Sequence, residues 1–338
     1  MKSFSKVLWM FLFGFPAGAP LCGFLASCSG DISTVEDSVP VTNNLPLLPP
    51  APQFNADSAF LYIKEQVDFG PRVPGTSPHA RCASYLVEKL RSFGWETQVQ
   101  TGLATLQDKR RINLKNIIAS YKPENKNRIL LMAHWDTRSR ADRDSVNKDQ
   151  PIDGADDGGS GVGVLLEIAR QFSLSKIDLG LDILFFDAED DGDYGTADSW
   201  CLGSQYWSKN PHQPGYTAQF GILLDMVGSK NATFPREGLS RTVASSVVNK
   251  IWNKASYLGY SNYFILKDGG AITDDHVYVI NNAKIPSVDI VNMNTETGDF
   301  GHYHHRHSDN MSVIDTNTLK AVGQTVLEVL WEEQNKTP

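Results

Sequence analysis

The sequence is poor in cysteine, with 4 in 338 residues. Cys22 and Cys28 fall in the N-terminal segment, so Cys82 and Cys201 can form at most one bridge in the rest. Two buried thiols are the commoner state for so few cysteines in a large core. No cysteine pair has the spacing of a closed thiolate zinc site. No acidic run has that of an EF-hand calcium loop. An excess of positive charge is missing too. Lys and Arg total 31 against 39 Asp and Glu, for a net charge of −8, and no Lys/Arg block occurs. Nucleic acid is therefore not an expected partner. Internal repeats are also lacking. The protein is 41% hydrophobic and 21% charged, which is the balance of a globular protein with a sizeable core.

The N-terminus reads "MKSFSKVLWMFLFGFPAGAPLCGFLASCSG". Lys2 and Lys6 precede an apolar run broken by Gly and Pro, the pattern of a signal peptide rather than of a spanning helix. It ends in "LASC", Leu25 to Cys28, which resembles a bacterial lipobox. That likeness implies cleavage before Cys28 and lipid on its thiol. An ordinary signal peptide with a small-residue cleavage site is the alternative. Loss of residues 1–27 removes two Lys and no acid, so the net charge falls from −8 to −10. Residues 28–55 are rich in Pro and Ser, lack periodicity and read as a tether. Residues 56–338 read as the catalytic domain.

From residue 56 onward, helices and strands alternate. "ADSAFLYIKEQVDFG" spaces its apolar residues as a helix does and stops at Gly70 and Pro71. "SPHARCASYLVEKLRSFGW" predicts a second helix, with Ser77 as N-cap, Pro78 at its first position and Gly94 as the stop. "ETQVQTGLA" alternates as a half-buried strand. "LKNIIASY", "RILLMAHWD", "LDILFFDAED", "FGILLDMVG" and "IPSVDIVN" are the apolar runs of buried strands. "GSGVGVLLEIARQF", "SWCLGSQYWSKN", "RTVASSVVNKIWNKASYLGY" and the capped "DTNTLKAVGQTVLEVLWEEQ" predict helices. The pattern predicts a single α/β domain with a mostly parallel central β-sheet flanked by helices on both faces. Ligands in such folds bind beyond the C-terminal ends of the strands.

Ionisable residues gather at those ends. One apolar run leads to His134 and Asp136. Another leads to Asp187, Glu189, Asp190, Asp191 and Asp193. A third carries Asp225, and "PIDGADDGGSG" places Asp153, Asp156 and Asp157 just before a helix. Singly, such acids are solvated loop residues or helix caps. Packed together they repel, and some must take up protons unless a cation neutralises them. A histidine among them favours zinc on mixed nitrogen and oxygen ligands, with one position left open for catalysis. "FGHYHHRHSDN" puts four of the protein's eight histidines into six positions. Alone, that tract is either a metal site or a solvated loop.

The order of "HWD", "GADDGGSG", "FFDAED", "LLDMVG" and a late His before "SDN" resembles the zinc-dependent aminopeptidase superfamily. Within it the nearer likeness is to the animal-type glutaminyl-peptide cyclotransferases (glutaminyl cyclases), in a bacterial form. "ATFP" at 232–235 and "DDH" at 274–276 carry it. The likeness runs from "FGPRVPGTSPHA" to the C-terminal helix. It implies one zinc per chain, held by Asp157, Asp190 and a late His. It implies Glu189 as general acid/base, with Asp225 and Asp274 as a hydrogen-bonded relay beside it. The reaction implied turns the N-terminal Gln of peptides and proteins into pyroglutamate and releases ammonia. Because the substrate supplies the nucleophile, no Ser or Cys is required. The superfamily pattern sets the ligand His four residues before an Asp and ten before the Asp that opens the last helix. His305 meets both conditions, with Asp309 and Asp315, and His304 and His307 meet neither. His302 and His307 then read as loop residues. The lipobox and tether suit a lipoprotein on the periplasmic side of a Gram-negative membrane, touching lipid only through Cys28.

Two departures from the family pattern matter. The animal enzymes carry Glu where this sequence has Asp190, and Trp where it has His304. The aromatic wall of the substrate pocket must be rebuilt, with Trp200, Tyr194, Phe300 and His304 as the candidates. The rival reading is a two-zinc aminopeptidase with His134, Asp157, Asp190, Asp225 and the late His as ligands. A binding protein with a dead site is a third, and an intact Glu189 argues against it.

Overall fold

The computed structural model describes residues 50–334. The signal segment, Cys28 and most of the tether lie outside the described residues. Helix α1 (Ala56–Val67) is capped by Asn55, which accepts the Ser58 N–H. Helix α2 (Ser77–Ser92) is capped by Thr76, one residue before the expected Ser77. Ser77 is already helical, and its hydroxyl accepts from Arg81 at 2.7 Å. Strands β1 (Glu96–Thr105) and β2 (Arg111–Tyr121) form an antiparallel pair. Then come β3 (Arg128–His134), α3 (Ser160–Ser175), β4 (Gly180–Phe186), α4 (Leu202–Lys209) and β5 (Gly221–Asp225). The rest comprises β6 (Phe234–Arg236), α5 (Gly238–Val243), α6 (Ser245–Tyr257), β7 (Phe264–Asp268), α7 (Asp275–Tyr278), β8 (Ser287–Val291) and α8 (Thr316–Glu333).

The main sheet has the order β1-β2-β4-β3-β5-β8. Strands β4, β3, β5 and β8 run parallel, and β2 joins β4 antiparallel, so only the β1–β2 edge departs from the parallel core. Side chains alternate across it, as strand geometry demands. Ile129, Leu131 and Ala133 of β3 enter the larger core, with residues of α1, α3 and α8. Leu130 and Met132 enter a second cluster on the other face, with Trp207 of α4 and Val279. Helices therefore cover both faces, as the sequence predicts. Cys82 and Cys201 are both buried and free.

Some elements differ from expectation, the short helix α7 among them. The helix expected over "RTVASSVVNKIWNKASYLGY" breaks at Ala244 into α5 and α6. Helix α5 is fixed by Glu237, which accepts the N–H groups of Leu239 and Ser240. Helix α6 is fixed by burial of Val247, Val248, Ile251, Trp252 and Ala255. Apolar periodicity registers the second constraint but not the first. The short parallel pair β6–β7 was not expected either, being too brief for a periodic signal.

Because four strands run parallel, their C-terminal ends share one edge, and the connecting loops meet there. Two features hold these loops. Gly158 has φ +90°, and a Cβ there would meet the Asp136 carbonyl oxygen at 2.2 Å. Only glycine fits that turn. Arg72, fully buried, donates to the carbonyls of Trp135, Asp153 and Gly154 at 3.2, 2.5 and 2.7 Å. It ties the start of the long β3–α3 connection to its end. Replacing Arg72 by Ala orphans three carbonyls, two of them buried, so Arg72→Ala should cost about 3 kcal/mol or more. Calorimetric unfolding checks this. Arg72→Lys should recover little, since one ammonium cannot span three acceptors.

Candidate metal centre and catalytic cavity

The loop before α3 carries Asp156 and Asp157, which have opposite fates. Asp156 faces inward, accepting from Gly228 N–H at 2.6 Å and from the Tyr303 hydroxyl. Asp157 faces the shared edge. Asp309 accepts the N–H groups of both, at 2.8 and 3.1 Å, and so fixes the loop. The loop after β4 is held in the same manner. Asp136 accepts the N–H groups of Glu189 and Asp190 at 3.0 and 3.3 Å. The sequence reading placed Asp136 and Asp309 near the site but gave neither this role, which leaves no signature in residue type.

Asp157, Asp190 and His305 come together. His305 Nε2 lies 2.9 Å from Asp190 Oδ1 and 3.8 Å from Asp157 Oδ2. Asp157 Oδ2 and Asp190 Oδ2 are buried with no hydrogen-bond partner among the described residues. Burial, then Asp157, raises Asp190 well above the usual carboxylate range, against Arg138 and His134. Asp157 is shifted the other way: burial opposes ionisation, but the hydrogen bond and charge of His134 prevail. Burial, then the Arg138 charge, lowers His305 to about 3, so its imidazole is neutral at pH 7. The 2.9 Å contact between a neutral imidazole and an acid needs one proton, which a cation can replace. A neutral imidazole with two carboxylates and unpartnered oxygens is the donor set that zinc takes when one position stays open. The residues present fit the metal.

His305, rather than its neighbour, is the histidine that meets both acids. His304 Nε2 is 3.9 Å from Asp157 Oδ2, and no contact joins it to Asp190. His307 sits apart, its Nδ1 on Asp144 at 2.8 Å. The far side of His305 is also held. Tyr194 Oη is 2.5 Å from Nδ1, and Trp200 stacks on the ring at a centroid distance of 6.0 Å and 8°. With Nδ1–H donating to Tyr194, the Nε2 lone pair points at the two acids. Arg138 lies beneath both aromatics, 5.4 Å from the Tyr194 ring and 4.9 Å from that of Trp200. It also donates to the Asp190 carbonyl at 2.6 Å. Nothing in the sequence singled out Arg138.

The site opens into a cavity of about 490 Å³ lined by Glu189, Asp225 and Asp274 together with Tyr194, Trp200, Phe300 and His304. All four candidate wall residues therefore line it. Burial, opposed by His134 and reinforced by Asp274 and Asp190, pushes Glu189 well above the usual carboxylate range. Burial raises Asp225 to about 6 and Asp274 to about 7. Charge couples the two, since Asp225 is the next cause after burial that raises Asp274. Asp225 Oδ1 is engaged by His134 Nε2 at 3.1 Å, and Asp274 Oδ1 by the Asp275 N–H. His134 Nε2 also lies 3.2 Å from Asp157 Oδ1, so His134, Asp157 and Asp225 form a group at ligand spacing, as do Asp157, His304 and His305.

Fold and site together define a zinc-exopeptidase-like α/β protein. The protein belongs to peptidase family M28, whose model matches residues 116–330. A solved glutaminyl cyclase from Porphyromonas gingivalis is 54% identical, with a TM-score of 0.82, over 83% of this protein and 99% of that one. A Zn-dependent exopeptidase from Parabacteroides distasonis is 53% identical, with a TM-score of 0.81, over 85% of this protein and all of that one. The Drosophila melanogaster glutaminyl-peptide cyclotransferase is 28% identical over 184 residues, 52% of this protein and 50% of that one.

The site predicts metal affinities. His305→Ala should abolish zinc retention, and His307→Ala should leave it intact, as measured by metal analysis after dialysis. Tyr194→Phe removes the partner of Nδ1 and should weaken zinc affinity by about tenfold in a chelator competition.

Proposed function

We propose that this protein is a glutaminyl-peptide cyclotransferase, converting the N-terminal Gln of peptides and proteins to pyroglutamate with release of ammonia. The reading is carried by Glu189 and the set Asp157, Asp190 and His305 opening into one aromatic-lined cavity. The likeness to the Porphyromonas gingivalis glutaminyl cyclase over nearly its whole length supports it. One zinc per protein molecule would be held by Asp157, Asp190 and His305. Bound there, zinc supplies Lewis-acid polarisation of the carbonyl in the substrate's glutamine amide.

The protein's own groups do the rest. The substrate's α-amine attacks its own δ-carbonyl carbon, forming the ring C–N bond, and the bond from that carbon to the amide nitrogen breaks. Glu189 takes a proton from the attacking amine and returns it to the departing nitrogen, which leaves as ammonia. A single carboxyl can do both when its neighbours raise its pKa toward that of the groups it serves. Asp225 and Asp274 keep that environment negative. Trp200, Tyr194, Phe300 and His304 enclose the glutamine and exclude water, which favours cyclisation over hydrolysis. The N-terminal segment is a signal peptide, Cys28 carries lipid, and the domain works on the periplasmic side of a Gram-negative membrane.

A two-zinc aminopeptidase is the second reading, favoured by the ligand spacing of His134, Asp157 and Asp225. A Gln-initiated peptide and an aminoacyl chromogenic substrate, each with and without chelator, separate the two. Chelator-sensitive ammonia release from the first alone is the expected result. Hydrolysis of the second, or a reproducible two zinc ions per protein molecule, would overturn it. Glu189→Gln should keep its zinc and lose about 10²-fold or more in kcat. Unchanged turnover would remove Glu189 from the proton-transfer role.

A further inference from the structure

Cys201 is a buried thiol for which the reaction above has no use. Its surroundings give it one. Cys201 Sγ lies 3.2 Å from Glu189 Oε1, and the Cys201 N–H donates to the Glu189 carbonyl at 3.0 Å. The residue therefore grips both the carboxyl group and the backbone of the glutamate. It sits at the start of α4 with φ 56°, a left-handed conformation that a β-branched residue disfavours. The next residue, Leu202, donates to the Ala188 carbonyl at 2.9 Å, so this turn is fastened to the catalytic loop by two backbone bonds. Cys201 is fully buried and unoxidised. Glu189, Cys201 and Asp274 each bring one polar atom within 4.8 Å of the others.

Glu189 needs such a partner. Its two oxygens are chemically alike, and Asp190, Asp274 and Asp275 all lie near enough to repel it. Left to itself, the carboxyl would turn to whichever rotamer best escapes those charges. Among the described residues the Cys201 thiol is the donor that reaches Oε1, and none donates to Oε2. Oε2 lies 4.0 Å from His134 Nδ1. Burial, then the charge of Glu189, raises the Cys201 thiol well above its ordinary value. The sulfur thus keeps its proton and acts as a donor rather than as a nucleophile or a redox centre.

We infer that Cys201 is a positioning residue for Glu189, its S–H holding Oε1 so that Oε2 is presented to the substrate's amine. The inference rests on the cyclotransferase reading. The thiol touches no reacting atom. It acts by confining the base to the rotamer from which proton transfer is possible.

The test compares zinc-loaded wild type, Cys201→Ala and Cys201→Ser, all as the full-length protein. Ammonia release from a Gln-initiated peptide, zinc content and melting temperature are measured for each. Cys201→Ala should lower kcat by about 10- to 100-fold, the scale of a misplaced catalytic group. Its KM should stay within about twofold and its zinc content should be unchanged. Cys201→Ser keeps a donor at the same position, though it fills the volume less well, and should recover most of the lost kcat. Equal kcat for the Ala and Ser variants would overturn the inference, whether both are intact or both impaired. So would a loss of zinc, or a rise in KM that accounts for the effect. A wild type silent on the Gln peptide would instead sink the functional reading, and this inference with it.

Discussion

Two carboxylates, each accepting the N–H groups of two consecutive residues, hold the site together. Asp136 fastens Glu189 and Asp190, and Asp309 fastens Asp156 and Asp157. A carboxylate suits this task because its two oxygens can face two adjacent amides at once. With their backbones held, Glu189, Asp190 and Asp157 are aimed toward the cavity. Both clamps link segments distant in sequence, the loop after β3 to that after β4, and the C-terminal loop to the turn before α3. Backbone pinning of this kind places these acids more tightly than loop packing would.

Such placement concentrates negative charge. Glu189, Asp190, Asp225, Asp274, Asp275 and Asp289 are all raised above the ordinary carboxylate range, and burial is the first cause in each. The opposing charges are few. His134 is one: burial works against its charge, but the acids beside it, Asp136, Asp157 and Asp225, prevail and raise it. Arg138 is another. That imbalance has two outlets, protons and metal. The acids nearest His305 suit metal, having unpartnered oxygens and a neutral nitrogen beside them. The acids around Glu189 suit protons. One crowded cluster thereby divides into a metal-holding half and a proton-holding half, and Glu189 and Asp190 are adjacent residues on either side of that line.

The sequence made the first of these layers legible. Apolar runs ending in acids located the strand edge, and the superfamily pattern, through its offsets to Asp309 and Asp315, singled out His305 among four histidines. Both signals are one-dimensional, a period and a distance in sequence. What escaped was contact between segments. The Tyr194–His305 bond joins residues 111 apart, and Tyr194 was expected only as pocket wall. The break at Ala244 depends on the Glu237 cap, and the hold on Asp225 depends on His134, 91 residues away. Residue type announces none of these, since a tyrosine in a loop or an acid at a strand end is ordinary in either state.

The wall of the cavity shows how closely metal and pocket are joined. Trp200 stacks on His305, lies over Arg138 and donates its indole N–H to the Asp193 carbonyl at 3.2 Å. It thus braces His305 on one side and bounds the cavity on the other. His304 completes that space where animal relatives carry tryptophan. Burial, then the neighbouring His305, keeps its pKa well below the ordinary value. A neutral ring packed edge-on against Phe300 at 4.7 Å behaves as an aromatic surface. Its Nδ1 has no partner among the described residues. The replacement therefore keeps a flat wall and adds a nitrogen that can accept as well as donate, where an indole can only donate.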